Sequence, residues 1–317
     1  MINFPEGITT EIFLRDYWQQ KPLLIRQGLP GFASPLDPDE LAGLALEEDV
    51  ESRLVLEQGF EGPWELHHGP FAEADFARLP AHSPWTLLVQ AVDLWVPDVH
   101  ALIDDFPFLP RWRIDDIMVS YANDRGGVGP HFDDYDVFLI QGMGQRRWDI
   151  GPLCDESTPL QDGTALKILR DFRADASWVL NPGDILYVPP RFAHQGVAVG
   201  ECMTYSLGFR APTAGEMLDD LATEILSHGG GSHYRDPPLT PDMARERIDP
   251  AFVKQARALL ASVLDDEQLL AEWFAGFMTR PKYPNITFDD PELQRRASVR
   301  GPEGQEQHFV DGFAEDA

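Results

Sequence analysis

The chain has 317 residues, with 53 acidic against 25 basic side chains and a formal net charge of −28, a balance that repels free nucleic acid and favours basic partners. Hydrophobic residues make up 43% and aromatics 11%, which is the composition of a folded chain and excludes a disordered one. No apolar stretch approaches the roughly 20 residues of a membrane-spanning helix, and the start Met1 to Glu6 lacks the basic and apolar regions of a leader peptide, so a cytoplasmic protein is expected.

In chain order, Phe13 to Gln20 reads as a short amphipathic helix, followed after Pro22 by an apolar strand, Leu23 to Ile25. A second helix is expected between Pro35 and Val55, because Pro38-Asp39-Glu40 supplies the proline and early acids of a helix start. Pro97 to Ile103 is expected to be helical as well.

From Asp115 to Ala211 short β-branched and aromatic runs alternate with glycine and proline turns, the pattern of an antiparallel barrel. The predicted strands are Asp115 to Tyr121, Tyr135 to Gln141, Gln145 to Ile150, Trp178 to Leu180, Asp184 to Val188, Gly196 to Val199 and Met203 to Phe209. The second and third are expected to form a hairpin through Gly142-Met143-Gly144. Beyond Ala211 the β pattern stops. Thr213 and Glu216 form a capping box that opens a helix, and two further amphipathic stretches run from Ala251 to Leu264 and from Gln268 to Phe277. After Arg280 the sequence is polar, with too few apolar residues for a core of its own.

The chemistry centres on Gly129-Pro130-His131-Phe132-Asp133. In extended backbone, residues two apart share a face, so His131 and Asp133 project together while Phe132 points away. His194, just after the Asp184 to Val188 strand and Pro189-Pro190, is far enough along the chain to arrive on another strand. Two imidazoles and one carboxylate make a facial triad that leaves positions on Fe(II) for a bidentate ligand and O2. An HxD pair alone is a weak signal; the glycine-rich approach before it and the strand ending just before the second histidine give it weight. The other seven histidines, among them His67, His68, His228 and His233, lack this framing. Cys154 and Cys202 lack the close spacing of a zinc knuckle or a redox pair, so both are expected to be reduced.

A keto acid chelating such a metal needs an anchor for its distal carboxylate, and a guanidinium provides a strong, directional one. Strand alternation allows only one of Arg146 and Arg147 to point inward; Arg146 shares its face with Trp148 and Ile150, which suits an interior. Ser120, on a neighbouring strand, can add a hydroxyl contact to the same cosubstrate.

The chain resembles the bacterial ribosomal oxygenases, a JmjC/cupin branch that includes an arginine hydroxylase of the sixteenth large-subunit ribosomal protein. The likeness runs nearly end to end, through Ser34 to Leu46, Leu87 to Val92, Trp112-Arg113-Ile114-Asp115-Asp116, Gly127 to His131, Tyr135-Asp136-Val137-Phe138 and Tyr205 to Pro212. The resemblance implies a mostly β fold, a double-stranded β-helix (jelly-roll) barrel with flanking helices. It implies a catalytic domain over 1–212 with its core barrel at 93–212, a helical dimerisation domain over 213–279, and over 280–317 a shortened or remnant winged-helix-like region. It also implies Fe(II), 2-oxoglutarate and O2 as cofactor and cosubstrates, with His131, Asp133 and His194 as ligands, Arg146 as anchor and Ser120 beside it.

The expected reaction is hydroxylation of an arginine side chain, at C3, in that ribosomal protein, by a homodimer that does not bind free nucleic acid. A cationic target needs acidic or aromatic neighbours, and Asp116, Asp124, Asp134 and Tyr135 near the strand ends qualify. Rival readings are a hydroxylase of a ribosomal-protein histidine, a lysine demethylase, a zinc-binding or isomerase cupin, and a non-catalytic cupin that binds a basic protein.

Overall fold

The computed structural model describes residues 1–59, 63–80, 83–241, 243, 246–288, 290–301 and 304–315. Two compact units divide it, Met1–Ala211 and Pro212–Ala317.

The first unit opens with α1 (Thr10–Asp16), whose N-cap Thr9 accepts a hydrogen bond from the Ile12 N–H, and continues into β1 (Leu23–Ile25). Helix α2 (Pro38–Leu44) starts where the proline and acids predicted it, in a capping box between Asp37 and Glu40. It ends at Leu44, and part of the stretch predicted as helix is instead β2 (Ser52–Gln58), the first of three strands that the sequence reading leaves out. The others are β3 (Pro63–His68) and β4 (Trp85–Val89), on either side of the short α3 (Glu73–Ala77). Leu54, Val55 and Leu56 are buried in succession, which breaks the alternation that marks a half-exposed strand. A turn of helix, α4 (Pro97–His100), and a 3-10 turn over Ala101–Asp105 occupy the predicted helical stretch.

The barrel strands are β5 (Ile114–Ala122), β6 (Val137–Leu153), β7 (Ala176–Leu180), β8 (Ile185–Val188) and β9 (Phe192–Phe209). Their order is β1-β8-β6-β9-β5-β4-β2-β3, with β7 also on β6, and every pairing is antiparallel. The long strands β6 and β9 run side by side along their length. The first half of β6 pairs with β8 and the second half with β7, which wraps one sheet into the two faces of a jelly roll.

Two predicted breaks are therefore not breaks. Gly142-Met143-Gly144 is no hairpin turn but a pair of bulges inside β6, where the register against β9 shifts between Gln141 and Gln145. Gly144 has φ +61, and a Cβ there would collide with the Glu201 carbonyl of β9, so this approach of two backbones needs glycine. Likewise Gly196–Val199 and Met203–Phe209 are parts of the single strand β9. Glycines that pack backbone against backbone look, in sequence, like turn formers.

Before the bulges, Phe138 and Ile140 face an aromatic layer that includes Phe13, Trp18, Phe106 and Tyr187, while Val137 and Leu139 face the barrel interior. After them, Trp148 and Ile150 join that interior. Beneath the aromatic layer the buried Asp136 accepts hydrogen bonds from the Tyr187 hydroxyl at 2.6 Å and the Gln19 amide at 3.0 Å. Burial of rings of this size contributes roughly 1.5–3 kcal/mol each, which fixes the helical layer on the sheet.

In the second unit, α5 (Ala214–Ser227) begins at the predicted Thr213–Glu216 capping box, followed by α6 (Pro250–Leu264) and α7 (Glu267–Thr279). The Trp273 indole N–H donates to Asp220 at 2.8 Å, joining α7 to α5, and Arg280 pairs with the same carboxylate. The polar tail is not shapeless. It folds into a small antiparallel sheet, β10 (Arg296–Arg300), β11 (Glu306–Val310) and β12 (Phe313–Ala314), with Phe309 buried and the Gly312 N–H donating to the Thr279 hydroxyl of α7. Its apolar support comes from a helix, not from its own residues.

Candidate metal centre

His131 lies just ahead of β6 and forms an isolated antiparallel bridge with His194 near the start of β9. The ring centroids are 4.3 Å apart. Asp133 is held through its backbone: its carbonyl accepts the Arg191 N–H at 2.6 Å from the turn that leads into β9. One Asp133 carboxylate oxygen lies 3.9 Å from His131 Nε2 and 3.6 Å from His194 Nε2. The three ligand atoms all fall within 4.8 Å of one another, and among the described residues this is the one group of three metal-ligating side chains that does so.

The far nitrogen of each ring is tied off. His131 Nδ1 lies 2.9 Å from the Gly129 carbonyl and His194 Nδ1 3.0 Å from the Phe192 carbonyl, so each Nδ1–H donates and each Nε2 lone pair faces the centre. His194 is buried, and burial, reinforced by the neighbouring His131, pulls its pKa down to about 4, which keeps the imidazole neutral and able to bind metal. Two imidazoles and a carboxylate fit a divalent first-row metal.

On the inward face of β6, Arg146 is 5% exposed while its neighbour Arg147 is exposed, as alternation requires. Arg146 Nη1 donates to the Ser120 hydroxyl at 3.2 Å and Nε to the Cys202 sulfur at 3.4 Å; Nη2 is buried without a partner. A buried guanidinium whose Nη2 amino group has no partner fits an incoming carboxylate. Both thiols are free and buried, and the contact of Cys202 with Arg146 is a feature that the sequence reading misses. So is the row Ser120, Thr204, Gln141 across β5, β9 and β6, in which the Thr204 hydroxyl donates to Gln141 at 3.2 Å. Only the pairing of strands, which sequence periodicity does not give, brings these residues together.

The proposed substrate contacts separate. Asp116 is buried, with one oxygen already accepting from the Gln90 amide at 2.6 Å and the Ala91 N–H at 3.0 Å. Burial of the Tyr135 hydroxyl, then the neighbouring Asp133 and Asp116 charges, push its pKa well above the ordinary phenol range, so it stays protonated. Asp134 is exposed. Asp124 accepts the Gly200 N–H at 2.9 Å beside Arg125 and serves the β9 bend.

A jelly roll with this triad and an inward arginine defines a JmjC-type oxygenase, and the JmjC domain family model matches residues 101–217. The ribosomal protein uL16 3-hydroxylase of Escherichia coli (strain K12) is 38% identical over 295 residues, 92% of this chain and 76% of that protein. A probable ribosomal oxygenase of Haemophilus influenzae is 44% identical over 236 residues, 74% of this chain and 56% of that protein. The structure of the Escherichia coli ribosomal oxygenase YcfD in complex with cobalt and 2-oxoglutarate superposes with a TM-score of 0.83 at 33% identity, covering 99% of this chain and 87% of that one. The chain belongs to the JmjC-type ribosomal oxygenase family.

Proposed function

We propose that this chain is an Fe(II)- and 2-oxoglutarate-dependent oxygenase that hydroxylates an arginine side chain, at C3, of the ribosomal protein uL16. The observation that carries the reading is the pairing of a His131–Asp133–His194 cluster with a buried Arg146 whose Nη2 has no partner on the same barrel interior. The substrate rests on the 38% identity to the uL16 3-hydroxylase, and the −28 net charge suits a basic ribosomal protein.

Iron(II) with 2-oxoglutarate supplies activation of O2 coupled to oxidative decarboxylation of the keto acid to succinate. His131, Asp133 and His194 would hold the metal, with Nε2 of each imidazole and a carboxylate oxygen as ligand atoms. Arg146, seated by Ser120 and Cys202, fixes the distal carboxylate and so the keto acid's orientation. The Tyr135 hydroxyl, which remains protonated beside Asp133, is a donor available to that carboxylate. Asp116 and Tyr135, which both lie beside Gly208, give a guanidinium an acidic and aromatic neighbourhood, while Asp134 contributes from the exposed rim. Val137, Leu139, Ile150 and Val188 keep the interior apolar and exclude water.

Pro212–Ala317 serves dimerisation in this reading, through 213–279, with 280–317 as a reduced winged-helix-like region. Exposed Leu218 and Leu226 on α5 and Val253, Leu260 and Leu264 on α6 support a homodimer. A cytoplasmic location follows from the substrate.

The test is incubation of the iron-loaded protein with recombinant uL16, 2-oxoglutarate and O2. The expected result is succinate release with a one-oxygen mass increment on a single arginine peptide. An increment on a histidine peptide, or succinate-free binding of uL16, would overturn the assignment.

A further inference from the structure

Besides Arg146 Nη2, one other N–H on the same inward face of β6 is buried without a partner: the indole N–H of Trp148. We infer that Trp148 is a second hydrogen-bond donor to the carboxylate that Arg146 holds. This deepens the 2-oxoglutarate reading above and rests on it.

The two residues stand two apart on one strand, so alternation sends both side chains into the barrel. The Arg146 guanidinium carbon lies 5.8 Å from the indole ring, and the His194 imidazole lies 6.0 Å from it. The indole therefore neighbours both the anchor and the metal cluster. It is 5% exposed, and its ring is seated by an absence on the neighbouring strand: Trp148 pairs directly with Gly196 of β9, where a Cβ would come within 2.8 Å of the six-membered ring. Any other residue at 196 would move the indole.

Chemistry selects the acceptor. A buried N–H left unpaired is costly, so a native barrel does not leave two in one place without a reason. The indole N–H and the guanidinium N–H are donors only, and both lack an acceptor. The other Arg146 donors that face neighbours are used on Ser120 and Cys202, which leaves Nη2 and the indole for one ligand. A carboxylate, with two oxygens and several lone pairs, satisfies both together. A tryptophan kept only to fill space would be replaceable by an apolar ring; this one carries a buried N–H without a partner.

The test uses the full chain with Zn(II) in place of iron, so that ligand binding is seen without turnover. The protein has 8 tryptophans and so up to eight indole N–H resonances in a nitrogen–proton correlation spectrum; the one missing in Trp148→Phe belongs to Trp148. On saturation with 2-oxoglutarate this resonance is expected to move downfield. By calorimetry Trp148→Phe is expected to bind 2-oxoglutarate roughly tenfold more weakly, with Zn(II) affinity and melting temperature near those of the wild type. If Trp148→Phe does not fold, the resonance is assigned by its ring's through-space contact with the Gly196 α-protons, and its shift decides. A wild type that binds 2-oxoglutarate with an unmoved Trp148 resonance overturns this inference alone. A wild type that does not bind 2-oxoglutarate overturns the oxygenase reading as well.

Discussion

His131 and His194 exchange backbone hydrogen bonds in both directions, the His131 N–H donating to the His194 carbonyl at 3.0 Å and the His194 N–H returning the bond at 2.8 Å. Residues paired this way present their side chains next to each other on one face. The first and last ligands of the triad are thus fixed by main chain, and removing one ring leaves the other's position intact.

His131→Ala is therefore expected to abolish metal-dependent turnover without unfolding the barrel. Mn(II) affinity, read by electron paramagnetic resonance, should fall by more than the roughly 10–100-fold that follows loss of a ligand's hydrogen-bond support. Wild-type affinity in this variant would remove His131 from the site.

Arg146→Ala should act on the cosubstrate and not on the metal. Truncating one partner of a buried charged pair costs about 2–5 kcal/mol, so the apparent KM for 2-oxoglutarate should rise by roughly 30-fold or more while Mn(II) affinity holds. Ser120→Ala should raise the same KM only several-fold, since it removes one neutral contact to the guanidinium. Initial-rate kinetics across 2-oxoglutarate concentrations separate the two.

Gly144→Ala places a methyl against the Glu201 carbonyl at positive φ. A destabilisation of about 1–3 kcal/mol is expected, visible as a lower melting temperature by calorimetry. An unchanged melting temperature would mean that the bulge is not held as described.

Asp184 ties the turn before β8 to the start of the chain, accepting from the Asn181 and Gln27 N–H groups and from Arg26 at 2.6 Å. Burial pushes its pKa up, but these hydrogen bonds and the Arg26 charge outweigh it, and the net shift is downward. A carboxyl whose folded pKa is depressed adds stability that is complete above its unfolded pKa and is lost as pH falls through the folded value. Denaturant titrations of Asp184→Asn should show a loss of about 1–3 kcal/mol at neutral pH that shrinks as pH falls below the usual carboxylate range. A pH-independent difference would contradict this.

The clustering of His131 with Asp133 and the inward turn of Arg146 against Arg147 were legible in the sequence, because both follow from a period of two in extended chain. Capping chemistry placed α2 and α5. What escaped was long-range. Strands β2, β3 and β4 carry no half-buried alternation distinctive enough to mark them, and the continuity of β6 and β9 depends on glycines whose role is set by the strand next door. The contact of Cys202 with Arg146 and the seat of Trp148 over Gly196 arise from cross-strand register, which a single chain's periodicity does not encode.

The paired bulges in β6 also govern how this barrel can change over time. Upstream of them the odd-numbered side chains, Val137 and Leu139, enter the cavity; downstream the even-numbered ones do, Arg146 and Trp148. One residue gained or lost between Gln141 and Gln145 would turn Arg147 inward in place of Arg146 and expel the indole, while leaving the hydrophobic half of the strand undisturbed. Both the length of this stretch and its glycines are thus constrained, the first by which side chains enter the cavity and the second by the close approach of β9.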